Sequence, residues 1–527
     1  MHQQSLKLRV IFSAFLLVFL LAAGAATAQA AEGKTFKLAV ASDVSSLDPH
    51  IQLSEESVAY SHWVFDPLVR WTKDMKIEPR LAERWELINP TTYRFHLRKG
   101  VKFHSGNPMT AKDVVFTLNR LKGSTEYKAI FDPFKEAKVV NDYAVDLVTH
   151  EPYGLVVSSA TYMFIMDSKF YTGNDPATKQ PKDFINKTGP SFANTNASGT
   201  GPFMVVSREQ DIQTTFKAFP EYWGTHGNVE TFVFTPIKND ATRIASLLSG
   251  DSDMVMGVPT QDFTRLKNDK NIQFESLSSS RVITIQMNQK VSEALRDVRV
   301  REALIRGTDN KAIADRIMGG YSTPATQQVP AGMNGHNAAL AMRYDPEKAK
   351  QLLKEAGFEN KLQFSMIAPN NRYVNDERIA QAFVGMMAKI GVKVSLKTMP
   401  RTQYWDVFDE QKADLQLIGW HPDTEDAANY SEFLLMCQNT ETGAGQYNSG
   451  NYCSKALDDL VLATRTETNE AKRNAMLEEI EAIAYKDAAF IPLHFEPYGW
   501  AAKKSLKNFS AILNPMNFPY FGDLVIE

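Results

Sequence analysis

Apolar residues recur along this chain at two spacings, and the switches between them outline the elements. FKLAVAS (36–42) alternates with a period of two and predicts a strand, which the polar stretch SSLDPHIQLSEES (45–57) follows as a loop. In TTYRFHLRKGVKFHSG (91–106), Tyr93, Phe95 and Leu97 fall on one face and Arg94, His96 and Arg98 on the other. Lys99-Gly100 supplies a turn, so a hairpin is expected there. TAKDVVFTLNRL (110–121) then changes to helical spacing, with Thr110 as N-cap and Asp113 three residues on.

Farther along, a helix–glycine–strand order repeats. DATRIASLLSG leads into DSDMVMG, and NDERIAQAFVGMMAKIG leads into VKVSLKTM, where Val392, Val394 and Leu396 alternate. YDPEKAKQLLKEAGF carries Asp345 at an N-cap, Pro346 at the first helical position and Gly357 past the end. NEAKRNAMLEEIEAIAYKD predicts a long amphipathic helix before the apolar strand AFIPLHF. Strands alternating with helices predict α/β domains on largely parallel sheets, which bind ligands at the carboxyl ends of their strands.

At 527 residues the chain exceeds one compact core, so at least two domains are expected. A net charge of -3 leaves no electrostatic footprint for nucleic acid. Lys7 and Arg9 precede an apolar run, Val10–Ala23, and then the small residues GAATAQA, the pattern of a cleaved secretory signal ending near Ala30. The alternative, a membrane anchor, needs a run of ~20 residues. Export to the periplasm is expected, without a lipid anchor because no cysteine stands at the cleavage boundary. Cys437 and Cys453 are the two cysteines; in an oxidising compartment a lone pair is expected to bridge, the alternative being two buried thiols.

Catalytic patterns are absent from the sequence. The ten histidines form no H-E-x-x-H, no G-x-S-x-G elbow occurs, and SGTGPF (198–203) reads as a turn entering a strand and not as a dinucleotide loop. No enzyme activity, metal or cofactor is expected.

The stretch PRLAERWELINPTTYRFHLRKGVKFHSGNPMTAKDVVFTLNRL (79–121) resembles the signature region of the peptide/nickel-binding family 5 of bacterial extracellular solute-binding proteins. SLDP stands before it near the mature start, and SGTGPF, EYWG, DATRIASLLSGDSDM, DVRVREAL, YDPEKAKQLLKEAGF and DLQLIGW come after it in the family's order. The resemblance implies a two-lobed periplasmic binding protein fold of type II, with an extra subdomain in the first lobe and hinge strands near SSSRVITIQMNQ and AAFIPLHFEPY. The expected division is a signal peptide at 1–30, lobe I at 31–282, lobe II at 283–489 and a return to lobe I at 490–527. It also implies capture of a dipeptide or short peptide and delivery to the transmembrane permease subunits of an ABC importer by a monomer. A chemoreceptor is a further compatible partner. A nickel chelate, opine, haem or oligosaccharide on the same scaffold, or a periplasmic peptidase or amidase, are the alternatives.

GWHPDTEDAANYSEFLLMC (419–437) is similar to the dipeptide-binding members of that family. The resemblance implies that Asp423 pairs with the ligand's α-ammonium and that Cys437 bridges Cys453. A carboxylate in a closing, water-poor cleft makes a charge-assisted bond to an ammonium; the alternative is a turn role in HPDTED. Arg372, in APNNRYVNDERIAQ, is the nearest match to the family's carboxylate clamp, although Asn371-Arg372-Tyr373 replaces its usual Arg-Pro order. Trp420 is expected over the ligand, and Ser54 and Glu55 in the loop facing the cleft from the first lobe.

Overall fold

The computed structural model describes residues 33–187, 189–370, 372–422 and 425–527. The predicted signal peptide therefore lies outside the described residues.

The chain opens with strand β1 (Lys34–Val40) and helix α1 (Glu55–Val64). Next comes a separate four-stranded antiparallel sheet of β2 (Ala82–Asn89), β3 (Thr92–Leu97), β4 (Phe134–Asn141) and β5 (Ala144–Thr149), in the order β2-β3-β5-β4. Helix α2 (Ala111–Leu121) packs on it, and the Thr110 amide donates to Asp113 Oδ2 at 2.8 Å, half of the predicted capping box. The expected hairpin takes another form. Phe95 and Leu97 are buried, as their face required, but β3 pairs with β2 before it and with β5. The segment after Lys99-Gly100 instead folds on itself through the Lys102–Pro108 bridge. One partner, β2, is local, across the turn at Pro90-Thr91; the other, β5, is about 50 residues away, and together they occupy both edges of β3.

The main sheet has eleven strands. After β1 it takes β6 (Phe203–Glu209), β7 (Gln213–Ala218), β8 (Val229–Pro236), β9 (Met254–Met256), β10 (Ile272–Met287), β11 (Gln363–Pro369), β12 (Lys393–Met399), β13 (Leu415–Trp420) and β14 (Phe490–Lys503). Their order is β12-β11-β13-β10-β14-β9-β1-β8-β7-β6, and the two-residue strand Thr323–Pro324 pairs with β14 off that path. The sheet is mixed, not largely parallel: β1 runs parallel to β8 and β9, and β11 to β12 and β13, but β10 and β14 are antiparallel to every neighbour.

β10 and β14 are the longest strands, and they run side by side from Ile272 opposite Lys503 to Gln286 opposite Phe490. The register breaks between Ser278 and Val282. On one side of that break β14 meets β9; on the other, β10 meets β13. These two strands thus cross between two lobes. Beyond the break, Ile283, Ile285 and Met287 enter one apolar core, with Leu415 and Leu417, while Val282 enters a second with Ile367 and Ile418. A sheet covered on both faces accounts for the burial of every residue from Val282 to Met287, Thr284 and Gln286 included.

Candidate functional site

A cavity of about 790 Å³ lies beside the crossing strands, within the size range of small-molecule sites. Its first wall is the start of α1. Ser54 caps that helix by accepting the Ser57 amide at 3.4 Å, so Glu55 becomes its first residue and faces inward. Glu55 Oε1 accepts from Arg281 Nη2 at 2.9 Å and from the Tyr498 hydroxyl at 2.7 Å, and its Oε2 accepts from Asn517 at 3.4 Å. Arg281 Nε also stands 3.2 Å from Glu496 Oε2, and Glu496 Oε1 accepts the Val374 amide at 2.7 Å. Glu55, both crossing strands and the loop before the helix at 376 are therefore tied together at the cavity floor.

The charges are set by this enclosure. Burial alone would raise the Glu55 carboxyl, but Arg281, His421 and the bonds from Tyr498 and Asn517 outweigh it and hold it below its ordinary value. Glu496 goes the other way: burial dominates over Arg281 and leaves its carboxyl raised. Burial would likewise depress the Arg281 guanidinium, yet Tyr498, Glu55 and Glu496 hold it above its usual range.

The opposite wall is the carboxyl end of β13. Trp420 is half-buried there, donating from Nε1 to Asn429 Oδ1 at 2.8 Å, stacked on Phe433 at 5.1 Å and packed on Tyr447 at 4.9 Å. Beside it the Tyr373 hydroxyl donates to the Gly419 carbonyl at 3.2 Å. Arg372 lines the same space, its amide donating to Asp376 Oδ2 at 2.8 Å and its guanidinium lying 5.0 Å from the Tyr373 ring centre. Ser54, Glu55, Arg372 and Trp420 thus share one cavity; Asp423 lies outside the described residues.

Sequence reasoning missed Arg281, Glu496, Tyr498 and His421. A charge inside the hinge segment SSSRVITI, and another in FEPY, were the available signals, since an apolar strand holds a charge only where a partner meets it. His421 Nε2 stands 3.1 Å from Glu425 Oε1, whose side chain is fully buried and whose backbone is left-handed at φ 53°. Burial would lower this imidazole, but Glu425 and Glu55 hold it above its ordinary value.

Cys437 and Cys453 form a disulfide with Cα atoms 4.5 Å apart, closing the loop that brings Gln446 and Tyr447 to the cavity. Opening a loop of this size is expected to lower stability by about 3 kcal/mol. Thermal unfolding with and without a phosphine reductant checks this, and an unchanged transition would contradict it. Among the described residues, no group of three or more His, Cys, Asp or Glu could hold a metal ion, and no helix is long and apolar enough to cross a membrane.

Residues 76–442 match the family described as Bacterial extracellular solute-binding proteins, family 5 Middle. The chain belongs to this family. Among family relatives, it is 29% identical over 482 residues to the dipeptide-binding protein of Escherichia coli (strain K12), covering 86% of each chain. It is 28% identical over 494 residues to heme-binding protein A of Haemophilus influenzae (strain ATCC 51907 / DSM 11121 / KW20 / Rd), covering 88% of each. The structure of HbpA2 from Haemophilus parasuis shares the fold at a TM-score of 0.81 and 24% identity, over 94% of this chain and 100% of that one. The cavity beside the crossing strands is lined from α1, from β10 at Arg281 and from the end of β13.

Proposed function

We propose that this protein captures dipeptides or short peptides in the periplasm between two closing lobes and delivers them, unaltered, to the permease of an ABC importer. The observation that carries this reading is the charge layout of the cavity, with Glu55 on one wall and Arg372 on the other. A zwitterionic guest has an ammonium and a carboxylate to set against such walls, and the likeness to a dipeptide-binding protein supports the same choice. Haem suits it less, because a floor of Glu55, Arg281 and Glu496 offers ions rather than an apolar face. Asp423 lies between Trp420 and Asp426 in the sequence, and its resemblance to the ammonium-binding position of dipeptide binders supports it as the anion for the amino end. Arg372 would meet the carboxylate, Trp420 would cover the chain between, and Ser54 and Glu55 would close from lobe I. The lobes in this reading are 31–282 with 490–527, and 283–489, after removal of a signal peptide at 1–30. The protein acts as a monomer and can also present its ligand to a chemoreceptor.

Calorimetry with L-alanyl-L-phenylalanine and its N-acetyl derivative tests this. The free peptide is expected to bind at least about tenfold more tightly, since blocking the amine strands a desolvated carboxylate. Equal affinities would remove Asp423 from the site; peptide cleavage in the same cell would replace capture by catalysis.

A further inference from the structure

The two lobes also meet away from the crossing strands. After β5, the turn Glu151-Pro152-Tyr153-Gly154 of the four-stranded sheet reaches across to the second lobe. There the Gly154 amide donates to the Arg465 carbonyl at 2.7 Å. Arg465 lies in the last turn of helix Lys455–Thr466, where carbonyls have no partner within the helix. A residue of one lobe therefore caps a helix of the other.

The seat is shaped for a residue without a side chain. A Cβ at position 154 would stand 2.4 Å from the Glu467 carbonyl oxygen and 3.0 Å from Arg473. Gly154 is not among the glycines with left-handed backbone, so the demand comes from the facing lobe and not from its own turn. Behind the seat, Arg473 donates to both oxygens of Asp426 at 2.7 and 2.9 Å and through Nε to the Thr464 carbonyl at 2.9 Å, all well buried. Asp426 in turn caps helix Ala427–Leu434, a few residues along the chain from His421 on the cavity wall. Tyr153, packed edge-on against Phe134 at 6.0 Å, sits in the field of Asp426, Glu432 and Arg473.

We propose that Gly154 and its seat at Arg465, Glu467 and Arg473 form a closure latch, which engages when the lobes shut and strengthens ligand retention without touching the ligand. Opening the lobes exposes the Arg465 carbonyl and the Gly154 amide to water; closing joins them. Asp426 and Arg473 act as positioning residues, holding helix Ala427–Leu434 and the seat as one piece. The latch rests on the capture reading above, because it has work to do only if the lobes move.

The test compares the mature wild type with Gly154→Ala, Gly154→Val and, as a control, Gly385→Ala, where a helical Cβ meets nothing within 4 Å. L-Alanyl-L-phenylalanine is the probe, with calorimetry, stopped-flow release and small-angle scattering. Gly154→Ala is expected to have a larger radius of gyration than wild type without ligand, because the ligand-free structure already holds the bond, and to bind about tenfold more weakly, for one backbone bond and its packing, with the loss in the release rate. Gly154→Val is expected to lose more, and Gly385→Ala nothing. Wild-type affinity, release and compaction in both Gly154 variants would overturn the latch while leaving capture intact. If the wild type does not bind this peptide, the peptide reading fails, and the latch is read on ligand-free protein: a larger radius of gyration for Gly154→Val supports it, and equal radii overturn it.

Discussion

Replacing Arg281 with methionine is expected to lower folding stability by about 3–5 kcal/mol at pH 7.5, as removal of one partner from a buried ion network does. The side chain is 15% exposed and meets Glu55 and Glu496, which are 25% and 11% exposed, so neither carboxylate can turn to bulk water for compensation. The sign of the pH dependence follows. In the wild type the Glu55 carboxyl is held below its ordinary value, so its contribution is fully present above the unfolded value of 4.5 and is lost as pH falls through the folded one. Without Arg281 the same carboxyl is raised, its penalty sits above 4.5, and protonation relieves it. The deficit of Arg281→Met should therefore shrink between pH 7.5 and pH 5, and Glu55→Gln added to it should recover part of the loss. Urea unfolding at both pH values measures this. A variant within about 1 kcal/mol of wild type at pH 7.5 would contradict the account, since surface pairs are worth that little.

Arg281 also marks where sequence reading stops. Helices announced themselves because their signals are local: Asp345 accepts the Lys348 amide at 2.9 Å, Pro346 stands first in the helix, and Gly357 lies beyond its end with φ 80°. The alternation of Val392, Val394 and Leu396 gave the strand Lys393–Met399 for the same reason. The hairpin at 91–106 failed because both edges of Thr92–Leu97 are taken, one by β2 across the preceding turn at Pro90-Thr91 and one by β5, which leaves none for the segment after Lys99-Gly100. The cavity shows the same division. Ser54 and Glu55 are expected in a loop, whereas Ser54 caps helix Glu55–Val64, whose mixed polar and apolar start hid it; Trp420 ends a recognisable strand. Arg281 meets Glu55 across 226 residues, and Tyr498 meets it across 443. No periodicity within a window of 20 residues carries such a pairing, and only family resemblance pointed to the segments that make it.

The second large effect concerns a carboxyl that no cation accompanies. Glu481, on helix Glu470–Lys486, is 1% exposed, and its Oε2 accepts the Gln328 amide at 3.0 Å; no ion pair reaches it among the described residues. Burial pushes its carboxyl up to about 7, against an ordinary value of 4.5, and the single hydrogen bond only partly opposes this. A folded-state value above the unfolded one means that the native protein holds the proton longer. Stability is therefore full below pH 4.5 and declines as pH rises, until the group ionises in both states above about 7. The total decline, from the difference between those two values, is about 3–4 kcal/mol. Glu481→Gln keeps the shape and the acceptor for Gln328 but never ionises, so it should exceed wild type by only about 1 kcal/mol at pH 5 and by about 3–4 kcal/mol at pH 8. Paired denaturant titrations at the two pH values separate this from simple repacking, which would shift both by the same amount. A parallel offset, or a variant less stable at pH 8, would show that Glu481 reaches a compensating partner when ionised.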